Sequence, residues 1–467
     1  MPVTSMDDIL SLAKRRGFVF PGSDIYGGLA NSWDYGPLGH LLKQNIKAEW
    51  WKFFVQQRDD MVPMDSAIIM NTKVWEASGH IQNFSDPLVE CKSCHHRFRV
   101  DHLLEARSAE PGYDKEEVVR IEDVPCPNCS GQLSSPKNFN LMFKTFIGST
   151  EDDSSVAYLR PETAAGMFVN FKNILQVTRR RLPFGIAQIG KNFRNEITPG
   201  NFIFRTREFE IGEFEYFINP NPADGAGWEA MFEMWLDQIR RWWKDIMQID
   251  MDNLVWHELP DGERAHYSKR TVDIEYKFPF GVKELHGIAY RTDFDLLRHQ
   301  AASGEDLQYT DPVTNEKFLP HVIEPTFGID RMLLVSLLEA YHVEDAPTGE
   351  AGETDKRVVM KFPHYLAPIK VAVLPLSKKT ELSSLAQEIA NRLRKDWMVE
   401  YDETQSIGKR YRRQDEIGTP YCVTVDFDSL VDKKVTVRDR DTMAQERILI
   451  TDLVDYLAKH LCSNTIN

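Results

Sequence analysis

Between Phe184 and Ile218 two runs, FGIAQIGKNFRNE and FRTREFEIGEFEYFI, set apolar side chains against charged ones with a period of two, and the turn cluster TPGN (Thr198 to Asn201) lies between them. Alternation of that kind is the signature of β-strands, and two such runs joined by a turn pair antiparallel. TVDIEYKFPFG (Thr271 to Gly281) and VKELHGIAYRTDFDL (Val282 to Leu296) repeat the habit. Two helices flank these strands. Leu38, Leu41, Leu42, Ile46 and Trp50 recur at helical spacing before them, and Met231, Phe232, Trp235, Ile239, Trp242 and Ile246 do so across Trp228 to Ile246. The expected fold class is α+β: an antiparallel sheet flanked by helices.

A further helix, MLLVSLLEAY, runs from Met332 into the polar stretch EDAPTGEAGETDKR (Glu344 to Arg357), which is expected to be a linker. Beyond it the apolar runs IKVAVLPL and PYCVTVDF alternate with the amphipathic stretches SSLAQEIANRLRKDW and TDLVDYLAKHL. That order predicts a small α/β domain, with the boundary near 350 to 362. Charge divides the chain in the same place. From Lys361 onward there are 17 Lys and Arg against 16 Asp and Glu, or +1, whereas the first 360 residues carry 39 against 55, or -16, so the whole net charge of -15 comes from the first part. An acidic body argues against a protein that coats nucleic acid with its whole surface. In the near-neutral tail, Lys409, Arg410, Arg412 and Arg413 cluster in SIGKRYRRQDE, either as a phosphate-binding patch or as a solvated face balanced by Asp415 and Glu416. Mean hydropathy is -0.41, no apolar run is long enough to span a membrane, and the start MPVTSMDDIL lacks a basic-then-apolar leader. A cytoplasmic location with no membrane partner is expected.

Four of the six cysteines form two pairs, Cys91-Lys-Ser-Cys94 and Cys126-Pro-Asn-Cys129, with 31 residues between them. Two such turns present four thiolates tetrahedrally, so Cys91, Cys94, Cys126 and Cys129 are read as a structural zinc site. A disulfide framework fits poorly with the cytoplasmic character of the chain, and a redox pair needs no second copy. His95 and His96 are read as bystanders, and Cys422 and Cys462 as buried thiols.

The stretch Gln188 to Phe217 gathers Arg194, Arg205 and Arg207 with Glu196, Glu208, Glu210, Glu213 and Glu215 and interleaved aromatics. On strands, Arg194 and Glu196 would share one face, as would Arg205, Arg207 and Phe209. Guanidinium groups grip phosphate, a ring stacks a purine, and a carboxylate accepts from an amine, which together describe a nucleotide site. A half-exposed, salt-bridged sheet has the same local pattern.

Within this stretch FRNEITPGNFIFRTREFE resembles motif 2 of the class II aminoacyl-tRNA synthetases, and GIDR (Gly328 to Arg331) resembles motif 3. PGSDIYGGLANSWDYGPLG, VWEASGH, NLMFKTF, LRPETAAG, TVDIEYKFPFG, RTDFDL and SIGKRYRRQDEIGTPYCVT follow, in order, the dimeric type of glycyl-tRNA synthetase across essentially the whole chain. The resemblance implies a class II catalytic domain of residues 1–90 and 131–355, a cysteine-rich insertion of 91–130 and a C-terminal α/β anticodon-binding domain of 356–467. It implies a homodimer with ATP, glycine, Mg²⁺ and tRNA(Gly) as partners. Arg194 would bind the α-phosphate and Arg331 the γ-phosphate, with Phe209 stacked on adenine and Glu196 at its edge. Asn195, Phe204, Arg205, Thr206, Arg207 and Glu208 complete that side of the ATP site, with Gly328, Ile329 and Asp330 of motif 3 opposite, and Glu284 and Leu285 beside the nucleotide and its magnesium.

Glycine offers only an ammonium and a carboxylate to grip, so the resemblance assigns Glu162 and Glu213 to the ammonium, Arg99 to the substrate side, and the Glu324, Pro325, Thr326, Phe327, Gly328 segment to closing the pocket. Glu210, Ile211 and Gly212 line it beside Phe209. Larger amino acids are excluded by size. Three positions depart from the family: Thr326 in place of Ser, Ala165 in place of Gln, and His286 in place of Trp or Glu. The competing reading is a noncatalytic nucleic-acid-binding paralogue of the same fold, but such a chain would lack these arginines and carboxylates. A synthetase for another small amino acid fits the whole-chain resemblance less well.

Overall fold

The computed structural model describes residues 5–108, 120–221, 227–265, 267–347 and 354–462. Its elements follow the hydrophobic periodicities. Helix α1 (Pro37–Trp51) starts on a proline, whose missing N–H costs nothing in a first turn, and buries Leu42, Ile46 and Trp50 completely. The short strand β1 (Met61–Pro63) precedes a three-stranded insertion sheet of β2 (Ser85–Glu90), β3 (Arg97–Arg99) and β4 (Lys137–Asn140), in the order β3-β2-β4. Helix α2 (Ala164–Thr178) leads to β5 (Phe184–Phe193) and β6 (Glu208–Ile218), which pair antiparallel from Glu208 opposite Phe193 to Phe217 opposite Phe184. Helix α3 (Trp228–Arg241) buries Phe232, Trp235, Leu236 and Ile239, and its last turn carries Arg240 and Arg241, favourable charges at a helix C-terminus.

Strands β7 (Leu254–Glu258), β8 (Arg270–Phe278), β9 (Gly281–Thr292) and β10 (His321–Gly328) complete a seven-stranded sheet in the order β7-β8-β9-β10-β6-β5-β1. All neighbours are antiparallel except the edge pair β1 and β5. Helix α4 (Ile329–Ala340) begins directly at the end of β10, so the residues of GIDR are fixed by a strand on one side and a helix turn on the other.

The polar stretch expected to be a linker is largely a hairpin. β11 (Tyr341–Pro347) and β12 (Thr354–Met360) pair antiparallel, and 348–353 lie outside the described residues. The hairpin is held by Arg357, 1% exposed, whose guanidinium lies 3.1 Å from Asp415 and also meets Glu344. Beyond it come β13 (Val371–Pro375), α5 (Thr380–Leu393), β14 (Val399–Tyr401), α6 (Ile407–Ile417), β15 (Tyr421–Val425), β16 (Lys434–Asp439), β17 (Gln445–Leu449) and α7 (Leu453–Leu461). Their sheet, β14-β13-β15-β16-β17, is parallel at β14-β13-β15 and antiparallel thereafter. It has its own core of Val371, Val373, Leu382, Ile389, Val423 and Leu457, while Met360, Phe362, Leu366 and Ala367 still belong to the core of the first sheet. Cys422 is buried as expected, but Cys462 is exposed, because α7 ends at Leu461 before the chain can turn back into the core.

Candidate active site

The strand reading of motif 2 holds for its flanks and fails at its centre. β5 ends at Phe193 and β6 starts at Glu208, so Arg194, Glu196, Arg205 and Arg207 stand on a loop and do not alternate across a sheet. Pro199 removes a donor and Asn201 adopts a left-handed φ of 56°, which ends any ladder. The loop is rigid nevertheless. Its base closes through Arg194 N–H to the Arg207 carbonyl at 2.9 Å, and Phe202, Ile203 and Phe204 at its tip are buried in the main core.

This anchoring opens a cleft of about 330 Å³ between the loop, β9, the start of α4 and the insertion sheet, within the range of small-molecule sites. Arg99, Arg194, Glu196, Phe204, Arg205, Thr206, Phe209, Glu210, Ile211, Glu284, Leu285, Thr326, Gly328, Asp330 and Arg331 all line it. Arg194 lies over the Phe209 ring at 5.3 Å. Arg331 lies over Phe204 at 4.4 Å and donates to the Glu284 carbonyl at 2.7 Å. Two cations held on aromatic faces thus line one cleft, and guanidinium groups grip phosphate. Glu196 is 9% exposed and its Oε2 accepts no hydrogen bond, with Arg99 Nη1 3.9 Å away, which leaves an acceptor for an amine. Opposite, Asp273 is crowded by Glu284 and Glu275, and burial together with these charges pushes its carboxyl up to about 7.

Some expected residues stand elsewhere. Arg207 donates to the Ala30 carbonyl at 3.0 Å, Glu208 is exposed beside Lys191, and the Asn195 N–H is spent on the Leu141 carbonyl at 2.7 Å; none of the three lines the cleft. Asp330 and Glu210 lie at its base but face α1. Asp330 accepts from Lys43 at 2.6 Å, from the Tyr35 hydroxyl and from the Glu210 N–H at 2.7 Å, and Glu210 pairs with Lys43 and Lys47. They fix the cleft floor. Sequence periodicity shows α1 as a core helix and gives no sign of these lysines.

A cluster of buried charged side chains adjoins the cleft on the same sheet face. In the β6-β10 register Glu213 stands opposite Thr326, and Glu215 is two residues further along the same face. Glu213 is 2% exposed and accepts from Thr163 and, at 3.3 Å, from Thr326. Thr326 thus supplies the hydroxyl expected of Ser. Glu324 takes Arg291 Nη1 on both oxygens at 2.9 Å, and the same guanidinium grips Asp295 at 2.8 and 2.9 Å. One oxygen each of Glu213, Glu215 and Glu324 converge within 4.8 Å. Burial and the neighbouring carboxylates push Glu215 and Glu324 up against the pull of Arg291. Glu324 accepts from Arg291 and Glu215 accepts from nothing, so the shared proton belongs on Glu215. Glu162 behaves oppositely: burial would raise its carboxyl, but His80, Arg291 and Arg194 outweigh it and hold the group at about 2, ionised at neutral pH. The arrangement is a cation-seeking pocket joined to a phosphate-seeking cleft.

Arg291, Glu215 and Thr163 carry this pocket without having been singled out as binding residues; the strand pattern around RTDFDL was the available signal for the first. Of the departures, His286 is buried, accepts from Trp243 Nε1 at 2.8 Å and stacks on Phe327 at 4.4 Å. Burial lowers its imidazole to about 3, so it is a neutral wall group. Ala165 packs with Trp75 and Met142 outside the cleft.

The four cysteines meet as expected. Cys91 and Cys129 sulfurs lie 3.5 Å apart and Cys94 and Cys126 3.6 Å, with all four within 4.8 Å, at the turn that joins β2 to β3. These are non-bonded separations, so no disulfide links them. The basic cluster of α6 does not stay together. Arg410 is 2% exposed and donates to the carbonyls of Pro375 at 2.7 Å and Asp402 at 3.0 Å, so it ties α6 to β13 and is not offered to phosphate. Arg413 is held by Asp402 and by the Thr404 carbonyl at 2.8 Å, Arg412 is half-buried, and Lys409 is exposed.

Comparison with known proteins agrees with this geometry. Residues 145–341 match the tRNA synthetase class II core domain (G, H, P, S and T), and residues 370–460 match the anticodon binding domain. A crystal structure of prolyl-tRNA synthetase from Cryptosporidium parvum, complexed with halofuginone and AMPPNP, superposes with a TM-score of 0.61 at 14% identity, covering 97% of this chain and 77% of that one, which speaks to the fold. The glycine–tRNA ligases of Thermobifida fusca (54% identical over 98% of both chains) and Cutibacterium acnes (52% identical over 98% of this chain and 97% of the other) are similar along their whole length. With a class II core, an anticodon-binding domain and identity above half along the chain, the protein belongs to the glycine–tRNA ligase family of class II aminoacyl-tRNA synthetases.

Proposed function

We propose that the protein activates glycine with ATP to glycyl-adenylate and pyrophosphate and then transfers the glycyl group to the 3' end of tRNA(Gly); its relatives are named glycine–tRNA ligases. The observation that carries this reading is the continuity of the two pockets on one sheet face, the arginine cleft ending at Thr326 where the carboxylate pocket begins. Glycine placed with its ammonium toward Glu213, Glu162 and Glu324 directs its carboxylate at Arg194 and the α-phosphate. In-line attack then expels pyrophosphate, whose charge Arg194 and Arg331 stabilise, and no covalent enzyme intermediate is formed. The acidic crowding at Asp273, Glu275 and Glu284 fits a cation on the nucleotide, and bound Mg²⁺ would neutralise phosphate charge there.

The cysteine cluster is read as a structural zinc site, since zinc–sulfur bonds of about 2.3 Å place tetrahedral sulfurs about 3.8 Å apart, close to the separations found. With four thiolates the shell is closed, so zinc would stabilise the insertion only. We further read the protein as a cytoplasmic homodimer that meets tRNA through the C-terminal domain, with Lys409 and Arg412 as its remaining basic contacts on α6. No described helix is long and apolar enough to cross a membrane. Exchange of labelled pyrophosphate into ATP without tRNA tests the central step. Exchange with glycine but not alanine or serine is expected; folded protein that binds tRNA yet exchanges with none would instead be the noncatalytic paralogue.

A further inference from the structure

VWEASGH has so far carried no chemistry, yet its last residue reaches the glycine pocket. The helix Thr72–Ala77 ends at Ser78, and Gly79, at φ +84°, takes the left-handed turn that a side chain would resist. That turn brings His80 round to face Glu162. The backbone there is pinned by Asn140 Nδ2, which donates to the Ile81 carbonyl at 2.9 Å and the His80 carbonyl at 3.3 Å. The ring stands edge-on to Trp75 at 5.5 Å and tilted against Phe84 at 5.3 Å. Its Nδ1 lies 2.8 Å from Ser78 Oγ and its Nε2 lies 3.2 Å from Glu162 Oε2.

The ring nitrogen that faces Glu162 carries a hydrogen, since a bare nitrogen would confront a carboxylate. On the other side Ser78 Oγ lies 2.8 Å from Nδ1 and donates to the Trp75 carbonyl at 3.4 Å, so the hydroxyl holds the ring from behind. Serine, histidine and glutamate in series have the composition of a hydrolytic triad, but Ser78 is 8% exposed and buried behind the imidazole, out of reach of any substrate. The relay therefore acts on the glutamate.

We propose that His80, held by Ser78, is a positioning residue for the amino acid: its Nε2–H orients Glu162 so that the carboxylate meets the substrate ammonium, and the Ser78–His80–Glu162 relay sets the affinity for glycine. Glycine has no side chain to bind, so any looseness in an ammonium partner is felt directly in KM. The relay meets the ATP cleft only through Phe84, which lies under Arg194 at 5.3 Å, so ATP should register the change far less than glycine. The inference rests on the reading of Glu162 as an ammonium ligand.

The test is pyrophosphate exchange with the full-length protein, comparing His80→Ala, His80→Gln, Glu162→Gln and the double variant His80→Ala/Glu162→Gln. Loss of a hydrogen bond to a charged group corresponds to about a tenfold rise in KM for glycine in His80→Ala, with a much smaller change in KM for ATP. His80→Gln, whose amide N–H can replace Nε2–H, should recover most of the affinity, and His80→Ala should add nothing in the Glu162→Gln background. Equal rises in both KM values, or additive effects in the double variant, would mean that His80 is merely structural. Should His80→Ala not fold, Ser78→Ala beside His80→Gln carries the comparison, with KM for glycine raised in the former and near wild type in the latter. If Glu162→Gln leaves KM for glycine untouched, the ammonium assignment itself fails; if it raises KM and His80→Ala does not, only the role of His80 does.

Discussion

Glu215 makes the sharpest physical demand in the molecule. Its side chain is 0% exposed, neither oxygen has a partner, and it faces Glu213 and Glu324. A buried, unpaired carboxylate is tolerable only when neutral, so the folded protein holds a proton that the unfolded chain releases above about pH 4.3. The sign follows from linkage. A raised carboxyl favours the folded state least at high pH: the wild type is unpenalised below about pH 4.3 and loses about 1.4 kcal/mol of stability for each pH unit above it while the group stays protonated. Between pH 5 and pH 7 that amounts to about 2.7 kcal/mol. Glu215→Gln keeps the shape and cannot ionise, so it avoids this loss. The unpaired amide adds an offset of about 1 to 3 kcal/mol that does not vary with pH, which makes the slope the quantity to read. Scanning calorimetry of both proteins from pH 5 to pH 8 is the assay. The midpoint of Glu215→Gln should gain on the wild type by a few degrees across that range. A difference independent of pH, or a wild type that gains with rising pH, would show that Glu215 is ionised and compensated by a cation, and would refute the reasoning.

Three other substitutions test how the site and the C-terminal domain are built. A Cβ at Gly190 would stand 2.2 Å from Arg160 Nη2 and 2.9 Å from Thr163 Cγ2, and Arg160 is itself tied to the Ser66 and Lys191 carbonyls. Gly190→Ala should therefore push Thr163 off Glu213 and raise KM for glycine about tenfold in the exchange assay, with little effect on KM for ATP. Arg410→Ala strips the carbonyls of Pro375 and Asp402 of their donor, and the C-terminal domain should lose about 2 to 4 kcal/mol in urea unfolding. Lys409→Glu should leave that stability alone while weakening tRNA retention on filters and flattening its salt dependence.

What could be read in the sequence, and what could not, follows from how local each constraint is. The strands on either side of motif 2, the helix at Pro37–Trp51 and the cysteine cluster are each fixed by residues a few positions apart, through period-two alternation, period-3.6 stripes or paired turns. Arg194 to Arg207 misled for the same reason: arginine and glutamate alternating with apolar residues look like a strand until Phe202, Ile203 and Phe204 are seen to need a core that only a folded-back loop can reach. Arg410 reads as surface because its shortest acceptor, the Pro375 carbonyl, lies at the end of β13, 35 residues away. Glu213 and Glu215 read as the wet face of a half-exposed sheet, yet β6 is a central strand with its charged face covered, and the one arginine that compensates them comes from β9. Even with Glu215 protonated, Arg291 faces three further buried carboxylates, Glu213, Glu324 and Asp295, which leaves the cluster short of positive charge. A local pattern cannot reveal that deficit, because burying charge against the fold's own interest makes sense only once a cationic substrate is added. The proposed glycine site therefore lies on a strand face whose local pattern equally fits a half-exposed, salt-bridged sheet, and the carboxylates that blur that reading are the ones an ammonium would complete.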